Sequence, residues 1–273
     1  MSLQTARPRP GALSLALVPS LALTLAASTL VAGGTTASAV EPSPGHPTNA
    51  GAIFKWGNPA WHDEFKTQAE PLGWEVSEAG TVVNRNGMLT LMAGREDGLV
   101  TATSTEQAAA EGRWEARVRM RNYRGTGARY RVFWELVPAD GAERCGASGI
   151  VMASYRVNAK RAKGAVRTLP DLDFRFGRKL NLARDEFHTF AVEVTSDHIS
   201  WFVDTKVVRT ERRPEALSGV TFKPRFRVQG IEGQQMKPAW MQMDWARYYT
   251  LARPNRKSIE AKPMRLKTYP TPC

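Results

Sequence analysis

The sequence predicts an all-β fold, a jelly-roll sandwich of two antiparallel sheets. Three observations lead there. From Trp61 onward, short segments rich in β-branched and aromatic residues recur, separated by Gly, Asn and Asp turns. Several alternate apolar and polar residues with the period of a half-buried strand. Long amphipathic helical periodicity is nearly absent, and Thr105–Glu111 offers at most a turn or two of helix.

The chain opens with Arg7 and Arg9, a long apolar run (LSLALVPSLALTLAASTLVA) and small residues ending at Ala37-Ser38-Ala39. A basic start, an apolar middle and an A-x-A site describe an export signal over residues 1–39. A membrane anchor is the other reading of such a run. Pro19, the interspersed Ser and Thr, and the Ala37/Ala39 pair favour cleavage after Ala39. No second apolar run approaches the roughly 18 residues of a membrane helix, so no membrane insertion is expected after cleavage. Residues 40–55, rich in Pro, Gly and small polar residues, read as a linker or extended arm.

Residues 56–250 hold the strands. Met88–Met92 follows an Asn86-Gly87 turn, a hairpin signal. Gly112–Met120 alternates, with Trp114, Ala116, Val118 and Met120 on one face and Arg113, Glu115, Arg117 and Arg119 on the other. Tyr130–Val137 and Ile150–Tyr155 are more apolar and read as central. Phe187–Val194 alternates again, and Ile199–Val203 and Lys206–Thr210 form a hairpin about Asp204-Thr205. Phe222–Gln229 and Met241–Thr250 complete the set. Residues 251–273 are basic and interrupted by Pro254, Pro263, Pro270 and Pro272. They read either as an extended wrap over the domain or as a disordered basic tail.

The formal charge of the 273-residue chain is +12, and the export signal removes only Arg7 and Arg9 from it. Such a surface favours anionic partners; general basicity that aids solubility explains it equally well. No nucleic-acid motif is present. The only cysteines, Cys145 and Cys273, are compatible with a disulfide in an exported protein, with free thiols as the alternative. With four histidines they form no metal-ligand pattern.

Six stretches in order resemble glycoside hydrolase family 16, the laminarinase, lichenase and agarase group with a concanavalin A-like jelly roll. They are Trp61-His62-Asp63-Glu64-Phe65, Gly112–Val118, Phe133–Pro138, Phe187–Glu193, Ile199–Asp204 and Met243–Tyr249. The family's catalytic strand, G-E-I-D-I-x-E-Y, falls on Ser148–Tyr155. Its first Glu and Asp share one face of a strand. A bulge would return the second Glu to that face, giving the carboxyl pair that retaining hydrolysis needs about 5–5.5 Å apart. Here the nucleophile position is Gly149, the assisting Asp position is Val151 and the acid/base position is Ser154. None of the three can do the family's proton transfer or nucleophilic work.

Other acids nearby are Glu135, Asp140, Glu143, Asp171 and Asp173. By alternation Glu135 faces away from Trp134, so a Trp134 in the cleft would exclude it. Asp171 and Asp173 could reach the rim, where turn chemistry is their simpler role. The resemblance implies sugar contacts from Trp134, Tyr155 and Tyr130. Arg131, Arg156 and Arg167 would suit acidic sugars, or would simply be solvated charges. Core packing is the other reading for Trp134, and a structural hydrogen bond is the expectation for His188.

The expectation is therefore a secreted or cell-wall-associated monomer of the family-16 type. It would bind extracellular polysaccharide, potentially anionic, without standard retaining hydrolysis. The alternatives are an active glycosidase or transglycosylase with relocated carboxylates, and a structural or protein-interaction module on the same scaffold. Some family members carry a structural calcium; nothing in this sequence supports one, and no cofactor is expected.

Overall fold

In the computed structural model the chain is described over residues 48–66, 70–142, 147–183 and 185–269. The export signal, residues 40–47 of the arm, Glu143, and both Cys145 and Cys273 lie outside these. A short helix, α1 (Ala50–Phe54), precedes β1 (Trp61–Asp63), β2 (Trp74–Val76), β3 (Thr81–Asn84), β4 (Leu89–Ala93) and β5 (Leu99–Ser104). The middle holds β6 (Gly112–Asn122), β7 (Ala128–Arg129), β8 (Arg131–Pro138), β9 (Ile150–Tyr155), β10 (Ala159–Thr168) and β11 (Leu172–Leu182). Then come β12 (His188–Val194), β13 (Ile199–Val203), β14 (Lys206–Glu211) and a single 3-10 turn, Pro214–Ala216. The chain closes with β15 (Phe222–Gln229), β16 (Met236–Lys237), β17 (Ala239–Tyr249) and β18 (Arg265–Thr268).

These strands build the predicted sandwich. One eight-stranded sheet runs β14-β13-β12-β6-β17-β4-β3, with β1 also on β17. The other runs β18-β11-β10-β9-β8-β15-β5-β2. Pairing is antiparallel within both, as at β6–β12 and β8–β15. The inner faces meet through Trp114, Ala116, Val118 and Met120 from the first sheet, and Val132, Trp134 and Leu136 from the second, all essentially sequestered from water. Among the described residues no helix is long and apolar enough to cross a membrane.

One expectation about the chain's ends needs revision, and the tail follows the wrap reading of it. The segment expected as arm contains α1. Asn49 caps it by accepting from Ala52 N at 2.8 Å, and Lys55 closes it in the left-handed region. Phe54 and Trp56 then bury against Phe202, with ring centroids 5.0 and 5.3 Å away. Apolar contact, invisible in a short Pro- and Gly-rich stretch, thus overrides its loop composition. At the other end, residues 251–269 lie along the domain and end in β18, paired with β11.

β10 and β11 were not legible as strands. Their outward positions are mostly charged, and the core positions of β10 are Ala162, Gly164 and Val166, too small to mark an apolar face. Gly164 is small because Phe176 of β11 occupies its space; a Cβ there would stand 2.3 Å from that ring.

Candidate functional site

The second sheet's outer face is set by the alternation along β8. Val132, Trp134 and Leu136 point into the core, while Arg131, Phe133 and Glu135 point away. The expectation for Trp134, Tyr130 and Tyr155 is corrected here. Trp134 is 1% exposed, stacks on Phe226 at 4.5 Å and donates its indole N–H to Phe190 O at 3.2 Å. Tyr130 is buried with its hydroxyl donating to Gly94 O at 2.9 Å. Tyr155 is buried beside Phe190, and burial alone pushes its hydroxyl's pKa far above the ordinary value. The three do share one face, but it is the face that meets the opposite sheet. None can stack on a sugar from solvent.

On β9 the expected bulge is present. Against β8, Trp134 pairs with Ala153 and Glu135 with Val151, so Met152 is the extra residue. Against β10, Lys163 pairs with Ser154 and Ala165 with Val151. Without the bulge, positions three apart would face opposite ways. With it, Val151 and Ser154 both line one groove, of about 590 Å³. Ser148–Tyr155, the stretch on which the resemblance lays the family's catalytic strand, thus has the expected bulge, with Val151 and Ser154 facing the groove. Gly149 adjoins the start of β9, and Ile150 and Met152 fill the core.

The groove is basic. Arg131 lines it from β8; Arg161, Lys163 and Arg167 line it from β10. Arg175 comes from β11, and Arg265 and Lys267 come from β18. Against these, among the described residues, stands one lining carboxylate, Asp173, 3.0 Å from the Arg175 guanidinium. Arg131 donates to Ser154 Oγ at 3.1 Å, and burial together with the nearby Arg156 draws its pKa below the usual guanidinium value. The small residues Val151, Ala165 and Gly177 form the floor between the charges.

Glu135 is on this outer face after all, because Trp134 is not. Its Oε1 accepts from Arg225 Nε at 2.8 Å and Arg227 Nε at 2.7 Å, and its Oε2 from Arg227 Nη2 at 2.8 Å. The Arg227 guanidinium also covers the Phe133 ring, 3.8 Å from its centroid. Glu135 and Asp173 lie on strands three spacings apart, so roughly 14 Å or more separates their backbones. Both are already ion-paired. His188 makes the structural contacts expected of it, to Asp204 at 3.1 Å and to Asn181 O at 2.6 Å. Of the predicted site residues, the fold brings Arg131, Val151, Ser154, Arg167 and Asp173 together. Arg161, Lys163, Arg175, Arg265 and Lys267 were missed; the alternation of basic residues in 159–168 and 265–268 was the available signal.

Residues 170–250 match the family model of glycosyl hydrolases family 16. No curated protein matches the chain by sequence. Among solved structures, the laminarinase from Rhodothermus marinus is similar at 18% identity and a TM-score of 0.57, over 70% of this chain and 96% of that one. The endo-beta-1,3-glucanase from Pyrococcus furiosus is similar at 15% identity and a TM-score of 0.56, over 70% and 94%. SCLam, a non-specific endo-beta-1,3(4)-glucanase from the same family, is similar at 16% identity and a TM-score of 0.56, over 71% and 91%. Two comparisons therefore agree with the resemblance: residues 170–250, which hold three of the six motifs, match glycosyl hydrolases family 16, and the sandwich has the fold of SCLam, a glucanase of that family.

Proposed function

We propose that the chain is an exported, monomeric polysaccharide-binding protein of the family-16 type. It holds an acidic glycan in the basic groove and does not cleave it by the family's retaining mechanism. One observation supports this above the rest. The bulge presents Val151 and Ser154 to the groove where the family places carboxylates, and seven basic side chains surround them. A cleft lined by one sign of charge concentrates ligands of the other sign. Guanidinium groups, five of the seven, match planar oxyanions with two parallel hydrogen bonds.

Relocated carboxylates fit less well. Glu135 and Asp173 are too far apart for either the retaining distance of about 5–5.5 Å or the inverting one of about 6.5–9.5 Å. Each is also held by an arginine. A purely structural module would fill its groove with side chains, and this one is open.

The test is binding of polygalacturonate and of neutral laminarin across a salt series, with reducing ends measured in parallel. Expected are binding of the acidic polymer that weakens with salt, and no new reducing ends. Equal binding of the neutral glucan, or reducing ends whose release stops in Asp173→Asn, would overturn the proposal. Export is checked by N-terminal sequencing of protein from the culture medium, which should begin at Val40.

A further inference from the structure

The outer wall of the groove comes from the tail that follows β17. After Tyr249 the chain crosses the first sheet's outer side. Asn255 Nδ2 donates to Glu193 at 2.8 Å, Ile259 O accepts from the Thr210 hydroxyl, and Met264 N donates to Glu211 at 2.9 Å. It then reaches the edge of the second sheet as β18. Two buried anchors pin the four-residue strand. Met264 is 4% exposed, and its carbonyl accepts from Arg213 at 2.7 Å. Tyr269 is 6% exposed, donates its N–H to Asp171 O at 2.8 Å, and has the Arg167 guanidinium 4.3 Å above its ring. Between the anchors every residue is exposed, and the alternation turns Arg265 and Lys267 toward the groove.

The register sharpens the point. Arg265 sits directly opposite Arg175, and Lys267 opposite Asp173. Like charges directly opposite across two strands destabilise the pair. Charge on an edge strand protects it from pairing with other chains, and that explains why β18 is charged. It does not explain a second arginine set against Arg175, whose ion-paired carboxylate among the described residues, Asp173, stands opposite Lys267. An anion lying between Arg265 and Arg175 would relieve the repulsion and engage both groups.

We infer that β18 is part of the binding site, and that its ligand is a polysaccharide bearing carboxylate or sulfate groups along its length, gripped between Arg265 and Lys267 on the tail and Arg175 and Arg167 on the sandwich. This rests on the groove being a polyanion site, and it adds that the C-terminal segment completes it. The tail is then a specificity element: the domain's own strands supply the floor, and the tail supplies the wall that favours charged over neutral glycans.

The experiment compares the chain as exported with Arg265→Ala/Lys267→Ala. A control, Arg256→Ala/Lys257→Ala, removes the same charge from exposed tail positions outside the groove. Binding of polygalacturonate and of dextran sulfate is measured by calorimetry across a salt series, with circular dichroism confirming each fold. The groove variant should bind the preferred polymer at least tenfold more weakly. Its slope of log affinity against log salt should fall by roughly 1.5, as expected for two lost ionic contacts at about 0.7–0.9 each. The control should stay within about twofold. Tighter binding of one polymer names carboxylate or sulfate as the group recognised. If the groove variant keeps the parent affinity and slope, the tail is outside the site and the inference is wrong while the binding function stands. If the parent chain binds neither polymer, the reading beneath it fails.

Discussion

Trp201 donates its indole Nε1–H to the carbonyl oxygen of Val151 at 3.1 Å, tying β13 of one sheet to the bulge on β9 of the other. A bulge frees backbone groups from the ladder, and a buried carbonyl without a partner is costly. The indole satisfies that carbonyl from the core side. Val151 and Ser154 can then face the groove together.

Trp201→Phe keeps an aromatic ring but leaves Val151 O without its donor and opens a small cavity. It should cost about 2–4 kcal/mol, read by urea unfolding. It should also weaken polyanion binding, because the bulge sets where Ser154 and its neighbour Arg131 stand. Leu89→Ala, at a fully buried position of β4, should cost a similar amount with no change in affinity. Equal affinity losses in the two would mean that the bulge has no special part in binding.

The architecture was legible because strands such as β6 and β12 pair one apolar face with one polar face, and that period is written in the sequence. The shared face of Val151 and Ser154 was legible too, since the expected bulge brings them together while Ile150 and Met152 fill the core. Which face of β8 met the core was not. Trp134 and Phe133 are both aromatic, so alternation alone cannot choose between them; contact with Phe226 and Phe190 does. The basic strands β10 and β18 were hidden for the opposite reason. Their charges are many and their core side chains few or small.

Glu135→Gln tests the remaining carboxylate on the groove's face. The side chain is 5% exposed and holds two arginines. Removing its charge takes the carboxylate from the partly buried Arg227 guanidinium and should cost about 3 kcal/mol. Polyanion affinity should stay level or rise, because a competing negative charge has gone. A fall in affinity would show that Glu135 positions Arg225 and Arg227 for ligand.

Glu115 gives the fold a pH signature. Burial pushes its carboxyl up to about 7, against the lowering effect of hydrogen bonds from Ala50 N at 2.6 Å and from Gly51 N. The folded state therefore binds the proton more tightly than the unfolded chain. Its contribution is largest below the unfolded value of 4.5, and is lost as pH rises to about 7. At about 1.4 kcal/mol per unit, the change is about 3 kcal/mol. Urea unfolding of the parent and of Glu115→Gln from pH 4 to 8 should show the gap moving in the variant's favour by about that amount. His188 and His198 are raised by their carboxylate partners against burial; they act alike in both proteins and cancel. Parallel curves would place the Glu115 carboxyl near its ordinary value.

Ser154→Glu asks whether the missing acid could simply be put back. The bulge would aim the new carboxylate into the groove, at the place the family uses for its acid/base. The guanidinium of Arg131 already lies 3.1 Å from Ser154 Oγ, and Lys163 is its direct neighbour across β10. An opposite charge at that distance lowers a carboxyl pKa by about 1–3 units, whereas a general acid for a glycosidic oxygen needs its pKa raised. The carboxylate would stay ionised and paired. Ser154→Glu should therefore cut polyanion affinity by tenfold or more, since it adds one negative charge and occupies Arg131. It should release no reducing ends from laminarin, even combined with Gly149→Glu and Val151→Asp. Hydrolysis by the triple variant with Arg131 in place would show that the basic groove is no barrier to the family's chemistry.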